Sequence, residues 1–304
     1  MNLETHCLNL SFKNPLVLAS GILDLTASSM KRAVDSGCGG VTVKSISLAP
    51  RPGHPNPTMF GEDHYFMNAV GLSNPGIEEA MKELKTFKES CDAPLIGSIF
   101  AGTADEFAEL AGIISDASID ALELNLSCPN VGNEFGDPYA YSPTAIETIT
   151  KKVKDKTHKP VLVKLSPNAW NIHELAKVAE AAGADAIIAV NTVSAMQIDV
   201  RARRPILHNR HGGLSGPALF PIALRCVYDI YKTVKIPIIG TGGITSGRDA
   251  IAMVMAGATL LGVGTAVYYR GTEAFRQILD EMEMIMQEEG ISSLDEIRGC
   301  AHAV

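Results

Sequence analysis

Hydrophobic residues along the chain follow two alternating rhythms. Short, β-branched, continuously apolar runs occur at positions 16–19, 40–44, 94–99, 121–125, 161–164, 186–190, 237–240 and 260–263. Such runs suit parallel strands covered on both faces, so eight strands are predicted. Between most of them, apolar residues recur every three or four positions. This spacing predicts helices over 77–89, 104–115, 144–154, 172–182, 219–233 and 247–256, with 272–287 closing the series. Eight strand–helix units predict an α/β fold, a closed (β/α)8 TIM barrel. An open, doubly wound sheet is the competing architecture on pattern alone.

Two stretches exceed ordinary loop length. Residues 45–75 follow the second strand and are rich in Pro and Gly, and residues 192–217 follow the sixth. Both are predicted as insertions at the C-terminal face of the barrel, where ligands bind. Residues 3–15 are predicted as a short N-terminal hairpin around Asn9, closing the opposite end. No domain boundary is visible, so residues 1–304 read as one unit.

Composition narrows the class. Of 304 residues, 46% are hydrophobic and 20% charged, which excludes a disordered chain. A formal net charge of −8 disfavours a nucleic-acid partner. No apolar run is long enough for a membrane span, and the first residues carry no signal pattern. None of the six cysteines pairs at Cys-x-x-Cys spacing, so no metal or iron–sulfur ligand set is expected, and a cytoplasmic location is.

Candidate chemistry gathers at strand ends. The seventh and eighth strands run into Gly240-Thr241-Gly242-Gly243 and Gly262-Val263-Gly264-Thr265. Glycines let backbone amides approach an anion, and a helix N-terminus following them favours negative charge. The pair of loops therefore predicts a phosphate site. Neither is a Walker loop or a dinucleotide fingerprint. The fourth strand ends in Asn125-Leu126-Ser127-Cys128-Pro129-Asn130. A thiol there sits at the barrel mouth, and its ordinary pKa of ~8.5 allows a role as base or nucleophile. Cys38, Cys91 and Cys226 read instead as inert packing. Lys44 and Lys164 each close an apolar strand, where burial is costly without a partner. Together they suggest fixed cations aimed at an anion or an electron-rich ring. Asn68, Asn125 and Asn191 offer paired donors and acceptors that match a cyclic amide.

These residues resemble the class 1 dihydroorotate dehydrogenases over nearly the whole chain. The similarity is carried by Asn125–Asn130, by Met67-Asn68-Ala69-Val70-Gly71-Leu72-Ser73-Asn74-Pro75-Gly76, and by the segments around Lys44, Lys164 and Gly242-Gly243. The resemblance implies that Cys128 removes a proton from C5 of dihydroorotate while FMN takes hydride from C6. It implies FMN contacts from Ala19, Ser20, Lys44, Ser45, Ser98, Asn125, Lys164, Val190, Gly216, Gly242, Gly243, Gly264 and Thr265. It implies substrate contacts from Lys44, Asn68, Ala69, Val70, Gly71, Leu72, Asn125, Asn191 and Thr192. Family members often carry Asn at the position of Ser98, so any flavin contact there falls to a shorter side chain.

Phe135-Gly136-Asp137-Pro138 resembles subclass 1B, whose catalytic subunit works with a partner holding FAD and a [2Fe–2S] cluster. That resemblance implies electron transfer to NAD and a heterotetramer of two catalytic and two partner chains. A fumarate-using class 1A enzyme, or an FMN barrel acting on another dihydropyrimidine, is the alternative. The loop 129–138, with Gly132 and Gly136, is expected to act as a lid over substrate.

Overall fold

A computed structural model describes residues 3–126 and 139–303. Eight parallel strands form a closed barrel: β1 (Leu16–Leu18), β2 (Gly40–Thr42), β3 (Leu95–Ile99), β4 (Ala121–Asn125), β5 (Val161–Leu165), β6 (Ala186–Ala189), β7 (Ile238–Thr241) and β8 (Leu260–Val263). Each strand pairs with its neighbours in sequence, and β8 closes on β1. The open doubly wound alternative is thereby excluded. The helices are α1 (Ala27–Asp35), α2 (Ile77–Ser90), α3 (Ala104–Ser115), α4 (Pro143–Lys154), α5 (Ile172–Ala181), α6 (Phe220–Tyr231), α7 (Gly247–Met255), α8 (Ala266–Arg270) and α9 (Ala274–Glu288).

Helix starts follow capping chemistry. The side chains of Thr103 and Ser142 accept from the amides of Glu106 and Ala145, and Pro143 opens α4 where no amide is needed. Hydrophobic spacing predicts no helix between β1 and β2, yet α1 lies there. Its start is a reciprocal cap between Thr26 and Ser29, and its buried face is only Ala27, Met30 and Ala33. Two of those three are alanines, so the apolar stripe is faint in the sequence.

The N-terminal hairpin forms as predicted. Thr5–Cys7 pairs antiparallel with Leu10–Phe12, and Leu8 and Asn9 turn with φ of 56° and 60°. Its inner face plugs the bottom of the barrel. Phe12 and Cys7 pack with Val17, Ile96, Leu162, Ile188, Ile239 and Leu260. A Cβ on Gly40 would stand 2.7 Å from the Phe12 ring, so the plug requires glycine there.

Both long insertions lie at the other end, as predicted, and there they join. Val193–Ala195, Gly212–Ser215, Phe66–Asn68 and Met59–Gly61 form one four-stranded antiparallel sheet, in that order. Neither segment advertises strands by itself. The pairing joins residues far apart in sequence and depends on close approach: a Cβ on Gly213 would collide with Thr192. Among the described residues, no helix is long and apolar enough to cross a membrane.

Candidate active site

Alternate residues of a barrel strand face inward. The bottom cluster contains Ile96, Ala121 and Leu162. Two residues further up the same strands, the inward positions are Ser98, Glu123 and Lys164, with Asn125 one step higher on β4. The interior thus changes from apolar to polar within two residues of strand.

These polar groups form one connected chain. Asn191 Nδ2 donates to Asn125 Oδ1 at 3.4 Å, and Asn125 Nδ2 donates to Ser45 Oγ at 3.0 Å. Ser45 Oγ and Ser98 Oγ are 2.9 Å apart, and Ser98 Oγ donates to Glu123 Oε1 at 2.8 Å. A hydroxyl has one proton to give. Ser98 gives its own to Glu123, so Ser45 must donate to Ser98, and Ser20, 3.4 Å from Ser45, must donate to Ser45. Every bond therefore runs in one direction, from Asn191 to Glu123. The chain ends on an ion pair: Glu123 Oε1 lies 3.5 Å from Lys164 Nζ, with the two side chains 2% and 6% exposed.

Of the residues expected at this site, Ser20, Ser45, Ser98, Asn125, Lys164 and Asn191 are thus joined directly. Ala19 is fixed by donation from its amide to Val263 O at 2.9 Å. Val190 follows a cis peptide bond from Ala189, and its amide donates to Thr241 O at 2.6 Å. Thr192 donates its amide to Asn191 Oδ1 at 2.8 Å. Lys44 is half-buried at the end of β2, and its amide donates to Asp24 O at 3.2 Å.

Asn68, Ala69, Val70, Gly71 and Leu72 form the rim. The Ala69 amide donates to Thr58 O at 2.7 Å, and Val70 O accepts from the His54 amide at 3.0 Å. Gly71 and Leu72 have φ of 75° and 56°, and a Cβ on Gly71 would stand 2.7 Å from the His54 ring. Asn74 ties the rim to the chain leaving β2. Its Nδ2 donates to Ser47 Oγ and to Leu72 O, both at 2.9 Å.

The glycine loops come together as expected. Thr265 Oγ1 donates to Ser215 Oγ at 2.8 Å, which brings the chain before Gly216 against the loop after β8. Gly243 has a φ of 74°, and a Cβ there would collide with the Phe220 amide, so the loop after β7 is pressed against the chain that leaves Gly216. At Gly264 a Cβ would make only ordinary contact, with Ala19 Cβ at 3.6 Å and Ile22 Cγ2 at 3.9 Å. Among the described residues and outside the strand ladders, the amides of Gly243, Gly264 and Thr265 donate no backbone hydrogen bond. Unpaired loop donors of this kind fit a phosphate group.

The expected contribution of a helix N-terminus needs correction. The start of α7 is already filled: Ser246 and Asp249 cap each other, and Glu281 Oε2 accepts from the Gly247 amide at 2.6 Å. The helix after Thr265, α8, has only five residues. Anion binding here rests on loop amides.

Two acids were absent from the sequence-based site. Glu123 was legible by parity, because it stands two residues before Asn125 within an apolar strand. Asp24 was not, because its loop has no periodicity. The Asp24 carboxyl is buried, and burial pushes its pKa up to about 6. The Gly21 amide, 2.5 Å from Oδ2, and the charges of Lys44 and Lys164 oppose that rise. The Cys38 and Cys226 thiols are pushed up to about 12 and about 11 by burial, as inert packing requires. Cys91 is half-buried. Cys128 and the loop 129–138 lie outside the described residues.

A family model described as dihydroorotate dehydrogenase matches residues 2–286. The chain is 48% identical over 299 residues to the dihydroorotate dehydrogenase B (NAD(+)) catalytic subunit of Pyrococcus abyssi, covering 98% of this chain and 99% of that one. It is 46% identical to the protein of the same description from Methanosarcina mazei, covering 96% and 93%. The corresponding Methanocaldococcus jannaschii protein is 43% identical over 303 residues, covering 99% and 98%.

Proposed function

The chain belongs to the dihydroorotate dehydrogenase family, and from that premise we propose that it oxidises dihydroorotate to orotate in pyrimidine synthesis as one barrel spanning residues 1–304. The observation that carries this reading is the directed chain from Asn191 to the Glu123–Lys164 pair at the barrel mouth, beside a cluster of unpaired loop amides. The amides of Gly216, Gly242, Gly243, Gly264 and Thr265 suit the FMN phosphate. Ala19, Ser20, Lys44, Ser45, Ser98, Asn125, Lys164 and Val190 line the place for its ring.

FMN, when bound, supplies the acceptor for the hydride from substrate C6. The protein supplies position and proton transfer. Cys128, three residues past Asn125, takes the C5 proton, which is weakly acidic beside a carbonyl. The Lys44 ammonium meets the substrate carboxylate. Asn68, Asn125 and Asn191 match the donors and acceptors of the dihydropyrimidine ring, with the backbone of Ala69, Val70, Gly71, Leu72 and Thr192 closing the rim. Lys164 would hold positive charge beside the flavin ring and so favour its reduction.

We place the reaction in the cytoplasm. Electrons pass to NAD through a second subunit bearing FAD and a [2Fe–2S] cluster, in an assembly of two catalytic and two partner chains. The names of the relatives, catalytic subunits of NAD(+) enzymes, support this division of labour.

A visible spectrum of the purified chain tests the core of the reading. The expected protein is yellow and bleaches when dihydroorotate is added without oxygen. A colourless chain with no affinity for FMN overturns it. Reoxidation by fumarate rather than by NAD and the partner would transfer the chain to the other electron acceptor.

A further inference from the structure

The Glu123–Lys164 pair is buried more deeply than its expected chemistry demands. A lysine that only meets a ring at an open mouth can stay hydrated, but Lys164 is 6% exposed and its anionic partner 2%. Two charges taken out of water are tolerated when geometry and further hydrogen bonds hold them, and a buried charge that loses its partner costs several kcal/mol. Ser98, whose hydroxyl has no other proton to give, holds Glu123 by the same oxygen, Oε1, that faces Lys164. Strand register fixes the arrangement: Ser98 stands opposite Glu123 across β3 and β4, and Lys164 opposite Asn125 across β4 and β5. Other charges facing this pair are Asp24 and Lys44, from the turns after β1 and β2. Neither is within ion-pair distance of Lys164.

We propose that Glu123 is a positioning residue, aimed by Ser98, that fixes the Lys164 ammonium at one point of the barrel mouth and so sets cofactor affinity and redox potential through that lysine. The inference rests on the functional reading above, in which Lys164 meets the flavin. Among the described residues Lys44 forms no ion pair, and it stands half-buried at the end of β2. The two cations are therefore unequal: Lys164 is immobilised at the cofactor, while Lys44 is left to adapt to the substrate.

The test is a double-mutant cycle on FMN-depleted and reconstituted protein, with Glu123→Gln, Lys164→Met and the pair combined. FMN dissociation constants are read from flavin fluorescence, and midpoint potentials from equilibrium with redox dyes. Glu123→Gln is expected to weaken FMN binding about tenfold or more and to lower the midpoint, as Lys164→Met does. The double variant is expected to bind FMN no more weakly than Lys164→Met alone, because Glu123 has nothing left to position and its unpaired carboxylate is removed with it. Additive effects, an unchanged Glu123→Gln protein, or a midpoint that rises would each overturn the proposal. If Glu123→Gln does not fold, the double variant, which buries no charge at either position, carries the test: weaker FMN binding than Lys164→Met overturns the proposal. Wild-type protein without FMN affinity overturns the functional reading and this inference together. Normal wild-type binding with additive variants overturns this inference alone.

Discussion

The bottom and the mouth of the barrel are built from the same strands and differ in almost every side chain. At the bottom, Ile96, Ala121 and Leu162 meet Phe12 in an apolar layer. About 7 Å higher, two residues along each strand, Ser98, Glu123 and Lys164 occupy the equivalent inward positions. The backbone is the same; only the requirement changes. The bottom must exclude water and bury area, and any well-fitting apolar set would serve. The mouth must hold charges and donors in fixed directions, and there one missing hydroxyl breaks a chain of bonds. Stability and chemistry are thus separated along the barrel axis.

The largest effect expected belongs to the proposed chemistry. Cys128→Ala should retain FMN and lose about 100-fold to 10,000-fold in turnover at neutral pH, measured under anaerobic single-turnover conditions with dihydroorotate. Full activity would remove the thiol from the chemistry. At the bottom, Phe12→Ala should cost about 3–5 kcal/mol in denaturant unfolding while the KM for dihydroorotate stays unchanged. A changed KM would show that the two ends are coupled.

Gly243→Ala probes the junction. Its φ of 74° and the collision with Phe220 predict a loss of about 1–3 kcal/mol together with weaker FMN binding. Instability with intact FMN affinity would detach this glycine from the phosphate.

The last effect, confined to a pH window, concerns Asp24. Folded, its carboxyl keeps its proton up to about pH 6, whereas an unfolded Asp releases it near pH ~4. The folded state binds more protons between those values, so this group lowers stability as pH rises through that window. Asp24→Asn should therefore gain on wild type from pH 4 to 6 by about 1–3 kcal/mol and then level off. A gain that grows instead toward low pH would mean the carboxyl is stabilised as an anion.

Much of the fold was legible because barrel strands are short apolar runs and their helices have regular stripes. The boundaries of β4, β8 and α3 coincide with the sequence pattern. The hairpin around Asn9 and the placement of both insertions were also readable. The helix α1 was not, since its buried face is mostly alanine. The sheet shared by the two insertions was not either, because antiparallel pairing between residues 66–68 and 213–215 leaves no local periodicity. Within the site, Lys44, Lys164 and the asparagines stood out as polar groups ending apolar strands. Glu123 carried the same signal one step lower and marks the limit of reading strand ends alone.

Local order by itself determined which segments are strands, which are helices and which residue types stand where the strands finish, because alternation and helical spacing are set by neighbours along the chain. Only the closed barrel decided that Glu123 faces Lys164, that Ser98 spends its proton on Glu123, and that two distant insertions form one rim. Those outcomes depend on register between strands and on which groups are left without water. Both are properties of the assembled interior.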